Sequence, residues 1–158
     1  MPVYKISGKF YKLLVAVDGS QPSFNAAEKA IDLAKKYKAK LFGLFVVSPD
    51  IRFGYLDENS LHELPPDLGL IVSNIIIAGE GYLTAIRKKA LRNRIKFESK
   101  VVLGKGSVVR TIVEFAEENG IDLIIMGTIG ITGFKRLMLG STASGVVTHA
   151  HCPVLLVR

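Results

Sequence analysis

Gly127-Thr-Ile-Gly130, nine further residues, and then Gly140-Ser141-Thr142 form the stretch of this chain whose residue types and spacing converge on ligand chemistry. Glycines let backbone amides approach an anion with no Cβ in the way, and a helix opening at Gly140 adds unpaired N–H groups with positive partial charge. Ser141 and Thr142 supply hydroxyl donors. Gly133, Lys135 and Arg136 lie inside the loop, and the two cations suit a polyphosphate. The chemistry indicated is anion binding; the alternative is a glycine-rich turn that holds nothing.

Other phosphate and nucleophile motifs fail at named positions. A Walker loop needs Gly-Lys followed by Ser or Thr, but Ser107 follows Gly106 and Phe134 follows Gly133. A dinucleotide fingerprint opening at Gly104 and Gly106 wants glycine where Val109 stands. No Gly-x-Ser-x-Gly elbow surrounds Ser141 or Ser144. Cys152 is the single cysteine, so an internal disulfide and a thiolate cluster are excluded, and beside His149 and His151 it reads as a packed thiol flanked by two surface histidines. Asp18, before Gly19 and Ser20, suits either an Asx turn or a ligand contact, and the two roles are compatible. Ser20 and Ser23 read as helix caps, and Lys105 as a loop lysine.

Strands and helices must bring these residues together. Lys12 to Val17 is a short apolar run rich in valine, as a buried parallel strand requires, and Pro22 and Ser23 open a helix with Ala27, Ile31 and Ala34 on one face. Leu41 to Val47 is a second buried strand. From Ser48 to about residue 70 the chain carries prolines, Gly54 and several acids without a sustained period, which predicts a long variable loop. A helix from Ile71 to about Asn93 follows, its continuity weakened by Gly79 and Gly81. Phe97 to Leu103 alternates as an edge strand does, and Ser107 leads into a helix with Val109, Ile112, Val113 and Ala116 inward. Gly120 closes it, Ile121 to Met126 is the most apolar strand, Gly140 to about Ala150 a last helix, and Pro153 to Val157 the final strand. Alternating β and α in this order predicts an α/β fold: an open, mostly parallel five-stranded sheet with helices on both faces. In such sheets ligands sit beyond the carboxyl ends of the strands, where Asp18-Gly19-Ser20, Val46-Val47-Ser48 and the loop from Gly127 converge.

The 158 residues suit one domain over 1–158, with a core over about 11–158 and no separate catalytic domain. No apolar leader opens the chain and no uninterrupted apolar run approaches the roughly 20 residues of a bilayer span, so a cytoplasmic protein without membrane insertion is expected. The net charge of +7 favours anionic partners. Arg87, Lys88, Lys89, Arg92, Arg94 and Lys96 cluster, but no aromatic residues interleave them as a stacking platform would need, so they read as a solvated helix end and not as a nucleic-acid site.

The Gly127-x2-Gly130-x9-Gly140-Ser141 spacing, with Val15-Ala-Val-Asp18-Gly-Ser near the start and Cys152-Pro153-Val-Leu-Leu-Val at the end, resembles the universal stress proteins, and within them the ATP-binding branch. The resemblance covers roughly Tyr11 to Arg158. It implies an adenine nucleotide alpha hydrolase-like, Rossmann-like fold that binds ATP, with Mg²⁺ or Mn²⁺ held mainly by the phosphates and protein metal ligands unknown. Val46 would lie against adenine, and Ala16, Val17 and Asp18 along the base and ribose. Met126, Gly127 and Gly130, with Gly133 in the same loop, would frame the ribose and phosphates, and Gly140, Ser141, Thr142 and Ala143 would hold the phosphates. Thr142 stands where nucleotide-binding members often carry Asn, and it keeps a hydroxyl donor. The function implied is a stress-response regulator or sensor switched by nucleotide, forming a homodimer through Val154 to Val157 and acting on an unknown protein partner. No catalytic residue is assigned, since no base stands near the loop, and hydrolysis is expected to be slow at most. A slow ATPase needing a partner and a nucleotide-free interaction module are the alternatives.

Overall fold

Short runs of branched apolar residues make strands that can be buried on both faces, and in this chain they are joined by amphipathic helices. The computed structural model describes residues 8–48, 64–104, 106–130 and 138–158. Its strands are β1 (Lys12–Ala16), β2 (Lys40–Val47), β3 (Phe97–Leu103), β4 (Leu123–Gly127) and β5 (Val154–Val157). The helices are α1 (Gln21–Tyr37), α2 (Pro66–Arg92), α3 (Val108–Glu118) and α4 (Ser141–His149). The sheet order is β3-β2-β1-β4-β5, with parallel pairing throughout.

Strand alternation divides the core into two layers. Leu13 and Val15 of β1, Leu41 and Phe45 of β2, and Leu123 and Ile125 of β4 pack against α1 and α2. Leu14, Ala16, Phe42, Leu44, Ile124 and Met126 point the other way, against α3 and α4. Leu13, Leu14, Leu41, Leu44, Ile124 and Ile125 are fully buried, and each contributes roughly 1.5–3 kcal/mol by leaving water. The expected five-stranded sheet, the edge position of β3 and the Gly120 helix stop (φ 62°) are all present.

The strand expected from Ile121 begins two residues later. Asp122 accepts hydrogen bonds from the Tyr11 and Lys12 amides, and Ile121 N–H closes the preceding helix on Ala116 O. The loop expected up to about residue 70 also ends sooner, because α2 already starts at Pro66. Proline at the first helical position loses an N–H that has no helical partner there anyway, and Asp67 in the first turn complements the helix dipole. Residues 49–63 of that loop lie outside the described residues.

Helix α2 runs through both of its suspect glycines. Tyr82 and Leu83, beside them, pack on the core layer that holds Phe45. By length and composition α2 is apolar enough to cross a membrane, which a reading of uninterrupted apolar runs did not register. One face is nevertheless packed on β2 and β3 through Val72, Gly79, Leu83, Ile86 and Ala90.

The two glycines should respond oppositely to alanine. A Cβ on Gly79 would lie 2.2 Å from the Phe45 ring, whereas one on Gly81 meets nothing within 4 Å. Gly79→Ala is expected to destabilise by about 1–3 kcal/mol, and Gly81→Ala to stabilise by about 0.5–1 kcal/mol, as read from urea unfolding midpoints.

Candidate functional site

The chain runs from β1 outward to β2 and β3, then returns to place β4 on the other side of β1. The connections after β1 and β4 therefore part in opposite directions and open a crevice at the carboxyl ends of these two strands. Val17, Asp18, Gly127 and Thr128 stand at this opening.

The turn after β1 is built locally. Ser20 caps α1, its hydroxyl accepting from the Ser23 amide, and the Ser20 amide donates to Asp18 Oδ1 at 2.9 Å. Asp18 thus makes the Asx turn that its position before Gly19 suggested. Gly19 has φ 88°, and a Cβ there would lie 2.7 Å from the Tyr82 ring, so the turn is seated on a side chain of α2. Phe24 and Phe45 flank that ring at centroid distances of 5.4 and 6.0 Å. Nothing in the sequence around Tyr82 signals its contact with this turn.

The second wall is the loop after β4. Its feet are tied together: the Gly140 amide donates to Thr128 O at 2.8 Å, and the Thr128 amide donates to Val157 O at 2.9 Å. Gly140 is the N-cap of α4 and offers no side-chain cap. The Ser144 amide is the first to find a helical acceptor, Gly140 O, so the amides of Ser141, Thr142 and Ala143 occupy the unpaired positions of the first turn. Here the arrangement can receive an anion.

The glycines of the motif have a second reason to be glycine, one that the spacing alone does not reveal. A Cβ on Gly127 would stand 2.9 Å from Pro22 C and 3.0 Å from Ser23 N, in the first turn of α1. On Gly130 it would stand 2.6 Å from Asp18 Oδ2, and on Gly140 3.1 Å from Thr128 O. The two walls of the crevice therefore touch through Gly130 and Asp18.

Of the other expected site residues, Ala16, Met126 and Ala143 have their side chains in the layer under α3 and α4, and Val17 in the layer under α1 and α2. Only their backbones can meet a ligand. Val46 is half-buried near the end of β2, and Ser141 is exposed on the first turn of α4. Gly133, Lys135 and Arg136 lie outside the described residues, as does Lys105. A separate depression of about 380 Å³ lies between α3 and the edge strand β3, lined by Phe42, Glu98, Lys100 and Phe115 among others, and it includes none of these residues.

A parallel sheet of this order, with a glycine loop and a bare helix amino terminus at its switch point, defines the class of adenine nucleotide alpha hydrolase-like α/β proteins. Within that class the chain belongs to the universal stress protein family, which it matches over residues 9–158. Universal stress protein MJ0531 of Methanocaldococcus jannaschii is 36% identical over 149 residues, 94% of this chain and 82% of the relative. Universal stress protein UspA from Lactobacillus plantarum has a TM-score of 0.74 at 26% identity, covering 96% of this chain and 100% of its own. A universal stress protein in complex with cAMP shares the fold, with a TM-score of 0.63 at 22% identity over 95% of this chain and 98% of that one.

Cys152 precedes β5 and is half-buried; His149 and His151 are exposed, and His151 Nε2 lies 3.0 Å from Ile121 O. Burial pushes the Cys152 thiol up to about 11, so it is a packed thiol and not a poised nucleophile. Since the folded state holds this proton more tightly, its contribution to stability is full below the unfolded thiol value and fades as pH rises toward about 11. Iodoacetamide should accordingly modify native Cys152 slowly at pH 8 and faster as pH approaches 11, with the urea-unfolded chain reacting well before it. Equal rates at pH 8 would contradict the packed environment.

Proposed function

We propose that this protein is an ATP-binding regulator of a stress response, a nucleotide-dependent switch with at most slow hydrolysis. The observation that carries this reading is the uncapped amino terminus of α4 beside the tied glycine loop, at the switch point of the sheet. The cAMP complex of a structural neighbour supports a nucleotide as the ligand class. Charge orders the ligand within the crevice. The Asp18 carboxylate against Gly130 repels phosphate and suits a ribose hydroxyl, while the amides of Ser141, Thr142 and Ala143 suit the phosphates. The purine then falls toward Val46 and the backbone of Ala16 and Val17, with Met126, Gly127 and Gly130 along the ribose side.

The residues fit the nucleotide better than they fit a protein-held metal. Among the described residues no group of three or more His, Cys, Asp or Glu side chains comes together. A bound Mg²⁺ or Mn²⁺ would take its ligands mainly from the phosphates and offset their charge. Asp18 is already engaged by the Ser20 amide, which leaves it poorly placed to orient an attacking water.

We propose further that the protein is a homodimer through β5. This strand pairs with β4 on one side only, and its residues are half-buried. An apolar parallel-sheet edge needs cover, and a symmetry mate supplies it.

Two measurements test these readings. Saturating Mg-ATP, at about 100 times its dissociation constant, should add about 2.7 kcal/mol of stability and raise the melting temperature. A Gly140→Val, Ser141→Ala double variant should lose the shift. No shift in nucleotide-free wild-type protein would favour the interaction module instead. For the assembly, Leu156→Lys should yield a folded monomer by circular dichroism and light scattering, and a folded variant that stays dimeric would refute the β5 interface.

A further inference from the structure

We propose that the outward ridge of α2 docks on an anionic bilayer surface, its apolar amino-terminal half among the headgroups and its basic carboxyl-terminal half on their charges. Only 22% of the most apolar stretch of this helix is buried. Leu70 and Ile77 are each 64% exposed, and Ile71 is 45% exposed. At about 100° per residue, Leu70, Asn74, Ile77, Gly81, Lys88 and Arg92 share one ridge, opposite the face that packs on β2 and β3. All six are exposed. A Cβ on Gly81 would meet nothing within 4 Å, so the middle of the ridge is open to close approach.

The charge along the helix is uneven: Asp67 and Glu80 lie in its amino-terminal part and its bases in its carboxyl-terminal part. From Gly81 to Phe97 there is no acid, while Arg87, Lys88, Lys89, Arg92, Arg94 and Lys96 are basic. Arg87 is drawn aside by Ser99 and the Phe97 ring, and Lys89 pairs with Glu28, so Lys88 and Arg92 carry the charge of the outward ridge. The partner must be apolar at one end and negative at the other. Nucleic acid would meet the cations and leave Leu70, Ile71 and Ile77 in water. A second copy could cover those three, but it would bring another net charge of +7. A bilayer rich in anionic lipid satisfies both ends, and a convex helix lies in its interface without needing a groove. Helix α2 covers β2 and β3, at the opposite side of the sheet from β5, so its outward ridge remains available in the proposed dimer.

The test is co-sedimentation of the full chain with phosphatidylcholine vesicles, with and without phosphatidylglycerol. Wild-type protein should pellet with the anionic vesicles only, and less so in high salt. Lys88→Glu with Arg92→Glu should weaken binding by about thirtyfold or more. Leu70→Ser with Ile77→Ser should weaken it at least about tenfold with the melting temperature retained, since both side chains are exposed. The proposal is overturned if the serine variant binds as well as wild type, or if phosphatidylglycerol makes no difference. Salt-dependent retention of DNA without vesicle binding would overturn it in favour of nucleic acid. Self-association abolished by Ile77→Ser, again without vesicle binding, would overturn it in favour of a second copy.

Discussion

β1 has no free side. It pairs with β2 on one edge and β4 on the other, and helices cover its two faces, so Leu13, Leu14 and Val15 are wholly removed from water. A strand in that position must be apolar along its length and can expose polar groups only where it ends. The first polar side chain after it is Asp18. Because the connection after β1 leads toward β2 and the one after β4 leads toward β5, the opening between their carboxyl ends is left bare of crossover chain, and the candidate site follows from that bareness.

The same crowding accounts for the glycines. Gly127 admits the first turn of α1, and Gly130 admits the Asp18 carboxylate. A motif read as phosphate chemistry is thus also a condition for closing the two walls of the crevice. Gly140 differs, since its missing side chain leaves the first turn of α4 without a side-chain cap. Packing and ligand binding ask for the same residue type at neighbouring positions, and the spacing alone does not separate them.

Helix α2 links the site to the outer surface. Its inner face meets Phe45 through Gly79 and the Gly19 turn through Tyr82, so a shift of this helix would be felt at Asp18. Its outer face exposes Leu70 and Ile77 toward one end and Lys88 and Arg92 toward the other. If the proposed nucleotide site and the proposed membrane face are both occupied, this helix is the physical route between them.

Read alone, the sequence determined the alternation of strand and helix, the edge character of Phe97 to Leu103, the Ser20 cap, the Gly120 stop and the location of the glycine loop. These depend on period, on capping chemistry and on positive φ, which are properties of neighbouring residues. It did not reveal that α2 starts at Pro66, because proline both ends loops and opens helices, or that Gly79, within the expected helix, is pressed onto Phe45. The fit of Gly127 to Pro22, of Gly130 to Asp18 and of Gly19 to Tyr82 was decided only in the tertiary structure. Each is a contact between residues distant in the chain, and the space left for a Cβ is set by the partner and not by the residue itself.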